Sequence, residues 1–142
     1  SRGELLSWLM FVATGVGPYS GQSVHFRVHA PEPIPYALNR YAFEARRHFG
    51  ILNDRLADRA HIFGDKYTIV DMAVWGWARL IPRVLSEEAK SDFPHLQRLV
   101  DQVTARPAAQ RAIAFSQEHA FKMTMDAEAH QNMFPGNPPM NN

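Results

Sequence analysis

Arg40 and Glu44 are the two residues in this sequence whose types and spacing point most directly to chemistry. A guanidinium presents a planar fork of N–H donors that matches a carboxylate with two parallel hydrogen bonds. The four-residue spacing also places both side chains on one face of a helix, where they form a surface ion pair. The residues alone favour this ion pair over a contact between Arg40 and the carboxylate of a ligand.

Asp71 offers a second carboxylate, and it stands in an apolar segment that begins T-x-x-D at Thr68. Thr68 can cap the first turn of a helix while Asp71 reaches back to the Thr68 amide, which is the capping-box pattern. A catalytic acid in an apolar setting is the alternative. The position of Asp71 three residues after Thr68 favours the structural role.

Two groups of basic residues have the spacing of known site types. His25 and His29 are four residues apart, as metal ligands on a helix are, but no third ligand follows at a recognisable spacing, so no metal site is predicted. Arg46, Arg47 and His48 form a small cluster. A solvated helix face is the preferred interpretation, since nucleic-acid binding needs a broader basic stripe.

Composition excludes several classes of function. The 142 residues include no cysteine, which rules out a disulfide framework and a cysteine nucleophile, so any thiol must come from a ligand. The formal net charge is +1, too small to attract nucleic acid or an acidic membrane. No signal peptide and no apolar run of about 18 residues are present, so no membrane span is expected.

Apolar residues recur at helical spacing throughout, and no segment alternates as a strand does, which predicts an all-α fold. The segment after Thr68 is apolar on nearly every side, so it is predicted to be the central helix of a bundle. Gly15, Gly17 and Pro18 are expected to break or kink the first helix. The predicted helices cover residues 4–14, 22–29, 69–80, 87–91 and 93–106, and a small helix opens at Pro107. A long helix is predicted to start between residues 33 and 35 and to run to about residue 57.

These features resemble the C-terminal domain of glutathione transferases. The resemblance rests on the capped segment Y-T-I-V-D-M-A-V-W-G-W, the P-H-L helix after it and the A-R-P-A-A turn. The runs G-P-Y-S-G-Q-S-V-H-F and A-P-E-P-I-P-Y-A-L-N-R-Y are similar, more narrowly, to the bacterial nu-class enzymes, which are glutathione-dependent disulfide-bond oxidoreductases. The tail F-K-M-T-M-D-A-E-A-H-Q-N-M-F-P is similar to C-terminal extensions of that group.

The resemblance implies the domain organisation. Residues 1–116 are expected to form a bundle of about five to seven helices around a central buried helix. Residues 117–142 are expected to form a partly disordered C-terminal extension, since the end is rich in Pro and Asn. Family members also carry an N-terminal thioredoxin-like domain that binds glutathione and stabilises its thiolate. No β-α-β pattern is present, so that domain is expected to be absent from this chain, and the chain alone is expected to be inactive.

The resemblance also implies the site. By motif match, Arg40 and, more weakly, Gln22 contact glutathione, and the region of Tyr19, Tyr36 and Met10 lines the pocket for the acceptor. No residue of this chain is catalytic, and Thr68 and Asp71 are structural. Glutathione enters as a substrate together with an electrophile or a disulfide, and no metal is needed. A cytoplasmic homodimer that binds neither nucleic acid nor membrane is expected.

Two other interpretations remain open at this point. Transferase-like helical domains also serve as non-catalytic dimerisation or scaffold modules, and the first helices would then form the dimer surface. The other interpretation is a generic helical bundle that binds an unrelated ligand, and it holds only if the match to the family motifs is accidental. The sequence does not identify the acceptor, nor does it distinguish conjugation, peroxide reduction and disulfide exchange.

Overall fold

The computed structural model describes residues 1–119, 121–122 and 124–136, and these form a helical bundle. Within these ranges no β-strand is present, and only two isolated bridges occur, both in the loop before the central helix. The predicted all-α fold is therefore confirmed. No helix in this part of the chain combines the length and the apolar character that a bilayer crossing requires.

The first thirty residues form one nearly continuous helical segment. It comprises α1 (Arg2–Phe11), a π-helical segment (Val12–Val16), α2 (Gly17–Val24) and a second π-helical segment (His25–His29). The expected break at the glycines and proline is instead a π-helical widening, a common cause of kinks. Pro18 lies in the first turn of α2, directly after the π-helical segment, where the backbone hydrogen-bond pattern already changes.

The longest helix, α3 (Pro35–Arg55), packs along α2. It begins at Pro35, because proline is accommodated at the first helical position. The predicted inward stripe is buried at its centre, where Ala45, Phe49 and Leu52 have no exposed surface. Glu44 and His48 are also buried on this helix, so its inner face carries two polar groups that need partners inside the protein.

The central helix is α4 (Ile69–Ala78), which packs between α1 and α6. Val70, Val74 and Ala78 belong to the core, in agreement with the predicted central position. The helix is not buried on every side, however, since Ile69 is 52% exposed. The remaining elements of the bundle are α5 (Ile81–Val84), a 3-10 turn (Glu88–Asp92), α6 (Pro94–Thr104) and α7 (Pro107–Gln117).

The expected C-terminal extension contains one further helix, α8 (Ala127–Met133). Asp126 caps it by accepting the N–H of Ala129 at 2.9 Å. Phe134 follows directly and contacts the histidines of the second π-helical segment. The rest of the predicted disordered end, residues 137–142, lies outside the described residues.

Candidate functional site

Arg40 and Glu44 form the ion pair that their spacing allows. Arg40 Nη1 donates to Glu44 Oε1 at 2.8 Å, and Arg47 donates to the other oxygen from Nε at 3.0 Å. The Glu44 side chain is only 9% exposed, so the two guanidinium groups supply the partners that a buried carboxylate requires. The hydrogen bond from Arg47, followed by that from Arg40, holds the pKa of Glu44 below its ordinary value, although burial acts in the opposite direction.

The ion pair leaves part of Arg40 available to a ligand. Its side chain is 46% exposed, and only Nη1 is engaged by Glu44. A guanidinium has five N–H donors, so the remaining groups can still bind a carboxylate from solvent. The two interpretations of Arg40 are therefore compatible, because Glu44 fixes one edge of the guanidinium and leaves another edge open.

His48 packs directly behind this pair and joins α3 to the first helical segment. Its Nδ1–H donates to the carbonyl oxygen of Glu44 at 2.7 Å. Its ring stacks on Phe11 with centroids 5.2 Å apart and lies 5.1 Å from the ring of Tyr19. The ring is also so close to Gly15 that a Cβ there would lie 2.5 Å from Nε2. These contacts fix the helix that presents Arg40.

The three residues expected in the acceptor pocket are not brought together in one described cavity. Tyr19 is half-buried and contacts His48 and Tyr41. Tyr36, in the first turn of α3, is 79% exposed, and Met10 on α1 is 55% exposed. These two side chains lie on the surface.

Gln22 lines a cavity of about 560 Å³. This volume is within the usual range for small-molecule sites. The wall comes from the end of α2, the second π-helical segment, the end of α4, the start of α5 and the residue after α8. Its other lining residues are Gly21, Val24, His25, His29, Trp77, Leu80, Arg83 and Phe134.

His25 and His29 share a helix face, as their spacing indicates, with ring centroids 6.4 Å apart. Among the residues described by the structure, no three His, Cys, Asp or Glu side chains are placed to hold a metal ion. His29 Nε2 lies 3.5 Å from Arg83 Nη2. Partial burial, then the charge of Arg83 and then His25, lower the pKa of His29.

Sequence reasoning did not place Arg83 or Phe134 in a site. Arg83 is 54 residues from its partner His29, and no motif links the two positions. The only feature of the local sequence at Arg83 is that it directly follows Pro82, and a cation after a proline is too common to predict a binding residue. Their roles depend on tertiary contacts.

Asp71 lies in the core and acts as a helix cap. Its Oδ2 accepts the Thr68 N–H at 2.7 Å and the Thr68 hydroxyl at 3.1 Å, and Oδ1 accepts the Ile62 N–H at 2.9 Å. Thr68 Oγ1 in turn accepts the Val70 N–H at 3.2 Å, and both halves of the capping box are present. The carboxylate has no exposed surface, so it cannot reach a substrate.

Comparison with known proteins places these features in a family. Residues 38–107 match the family model of the glutathione S-transferase C-terminal domain. The disulfide-bond oxidoreductase YfcG of Escherichia coli is 34% identical over 116 residues, which cover 82% of this chain and 53% of that protein. The disulfide-bond oxidoreductase YghU of the same species is 35% identical, over 78% of this chain and 40% of that protein.

A solved structure gives the same result. A glutathione transferase family member from Pseudomonas fluorescens, with two glutathione molecules bound, superimposes with a TM-score of 0.74 at 36% identity. The superposition covers 80% of this chain and 52% of that one. The chain thus spans about half the length of the relatives that it matches.

Proposed function

The chain belongs to the glutathione S-transferase family and corresponds to the C-terminal helical domain of its members, so we propose that it forms the helical half of a glutathione-dependent enzyme. Arg40 binds a carboxylate of glutathione, and Gln22 adds a weaker polar contact. Tyr19, Tyr36 and Met10 belong to the surface that faces the acceptor. Thr68 and Asp71 hold the central helix and take no part in the chemistry.

The arrangement around Glu44 is the observation that carries this proposal. Glu44 accepts from Arg40 on one oxygen and from Arg47 on the other, so a buried single negative charge is shared by two guanidinium groups. The cluster keeps an excess of positive charge at the surface of α3. Glutathione carries two carboxylates, and a half-exposed arginine held along one edge is a suitable partner for either.

The reaction that fits this site is thiol–disulfide exchange. The thiolate of glutathione attacks one sulfur of a disulfide, forms a new S–S bond and releases the other sulfur as a thiolate. Since this chain has no cysteine, every sulfur in the exchange is supplied by a ligand. The chain contributes by positioning the reactants, because it holds the glutathione thiolate in line with the S–S bond that it attacks. Conjugation to an electrophilic carbon would use the same thiolate and the same anchor.

A homodimer in the cytoplasm is the assembly that we propose. Several large apolar side chains on α1 and α3 are exposed to solvent. Exposed apolar patches often mark protein–protein contacts, and a second copy of the chain would cover these side chains. They include Leu6 at 47% on α1 and Phe43 at 60% on α3.

A chimeric enzyme tests the proposal. The chain replaces the helical half of the YfcG protein, and glutathione-dependent reduction of a small disulfide is assayed together with the oligomeric state. We expect turnover, and we expect Arg40→Gln to raise the KM for glutathione by roughly tenfold. Arg111→Gln, an exposed arginine on α7, is the matched control. A folded, dimeric chimera without turnover would instead support the scaffold function.

A further inference from the structure

The cavity that Gln22 lines carries an unbalanced positive charge on one wall. Arg83, His25 and His29 all face it, and Arg83 Nη2 lies 3.5 Å from His29 Nε2. Within the described ranges, Arg83 makes no ion pair with a carboxylate, and His29 Nδ1 is buried without a hydrogen-bond partner. A buried polar atom without a partner is unusual, so this wall is incomplete as it stands.

Two acidic residues of the C-terminal segment, Asp126 and Glu128, are already paired with a lysine. Lys122 lines a neighbouring cavity together with His29 and Arg83. It binds Asp126 at 2.7 Å and Glu128 at 3.0 Å. Those two carboxylates therefore compensate Lys122, and the charge of Arg83 is left for an external anion.

The rest of the cavity lining is largely apolar and includes two aromatic rings, Trp77 and Phe134. The Trp77 ring lies against α2, where a Cβ on Gly17 would be 3.2 Å from its Nε1 and a Cβ on Gly21 would be 4.0 Å from its Cη2. The glycines thus allow the ring to lie close to the helix backbone. Phe134 meets the His25 ring edge-on with centroids 4.9 Å apart. Val24 and Leu80 also line the cavity.

We propose that this cavity binds an organic carboxylate with a flat apolar body, such as an aryl carboxylate. Arg83 donates to the carboxylate, His29 lies beside it, and Trp77 and Phe134 cover the ring. A guanidinium suits a carboxylate because two parallel N–H donors match its two oxygens. This site shares none of the Arg40–Glu44–Arg47 cluster. It adjoins the proposed glutathione contact only through Gln22, which lines the same cavity. It assigns this chain a second class of ligand.

Calorimetric titration of the 142-residue chain with naphthoate tests the site. Naphthalenemethanol has the same ring system without the charge, and inorganic phosphate has charge without the ring. The variants are Arg83→Gln, which removes the cation, and Arg83→Lys, which keeps the charge but not the fork. Arg27→Gln is the control, since Arg27 is an exposed cation two residues before His29, on the second π-helical segment, and does not line the cavity.

We expect naphthoate to bind with an affinity roughly ten- to a hundredfold higher than either naphthalenemethanol or phosphate, and Arg83→Gln to remove that preference. Arg83→Lys should restore it in part, and Arg27→Gln should leave it intact. Equal binding of naphthoate and naphthalenemethanol would overturn the proposal, as would equal binding of phosphate. Undiminished naphthoate affinity in Arg83→Gln would also overturn it, and so would the absence of naphthoate binding to the folded chain.

Discussion

The carboxylate of Asp71 accepts the backbone N–H of Ile62 at 2.9 Å, so one side chain both caps α4 and holds the loop that precedes it. Ile62 is fully buried and belongs to the core. The same carboxylate binds the Thr68 amide at 2.7 Å. Asp71 thus supplies acceptors to two backbone donors that would otherwise be left without partners in the interior.

Asp71→Asn should lower the free energy of unfolding by about 2–4 kcal/mol, because the amide cannot accept on both sides and leaves a backbone donor unsatisfied. Urea denaturation measures the change. Asp54→Asn, an exposed aspartate on α3, is the control and should change stability by less than about 0.5 kcal/mol. If Asp71→Asn left the stability unchanged but abolished glutathione binding, Asp71 would have to be assigned to the binding site and not to the helix cap.

Gly15→Ala should destabilise the bundle by about 1–3 kcal/mol, since overpacking a buried site forces neighbouring groups to move. The new methyl group would lie 2.5 Å from His48 Nε2 and 2.7 Å from its Cδ2. Gly50→Ala is the matched control on α3, where nothing lies within 4 Å of the new methyl group. It should stabilise the helix by about 0.5–1 kcal/mol. Thermal melts in which both variants have a higher melting temperature than the wild type, or both a lower one, would contradict this packing.

The pH dependence of stability should report on Glu44. Its folded pKa is lowered below 4.5, chiefly by the hydrogen bond from Arg47. Its contribution to stability is therefore complete above about pH 5 and is lost as the pH falls toward the folded pKa. Glu44→Gln should flatten this acid limb in melts recorded from about pH 3 to pH 6, whereas Glu118→Gln, an exposed control, should retain it. An acid limb unaffected by Glu44→Gln would show that the pair contributes nothing in solution.

The pKa of His29, measured by NMR titration, should lie below the ordinary value of 6.5. Partial burial is the main cause, followed by Arg83 and His25. Arg83→Gln should therefore raise the pKa, because it removes a positive charge beside the ring. Arg27→Gln should leave it unchanged. A His29 pKa that does not respond to Arg83→Gln would mean that the two side chains are apart in solution.

Local signals in the sequence were sufficient for most of the fold. The T-x-x-D pattern located the start of α4, and prolines at the first helical turn marked the starts of α3, α6 and α7. The continuity from α1 to α2 could not be predicted. Glycine and proline normally end helices, and only the close approach of His48 and Trp77 shows why glycines are needed within this one.

The candidate site was predicted only in part, for a physical reason. The pairing of Arg40 with Glu44 follows from helix geometry, so the spacing alone indicated it. The cavity lined by Gln22 depends on Arg83 and Phe134, which are far from it in the chain and reach it through packing. His25 and His29 share a face as predicted, but only the tertiary structure shows an arginine beside them.

The most direct test of the account is a glutathione titration of the chain, followed through the Nε–H resonance of Arg40. We expect this resonance to shift at millimolar glutathione, and we expect Arg40→Gln to weaken binding by roughly tenfold or more. Arg40→Lys should recover only part of the loss, because an ammonium lacks the fork. Equal glutathione affinity in the wild type and Arg40→Gln, with no shift at Arg40, would contradict the proposal that Arg40 anchors glutathione.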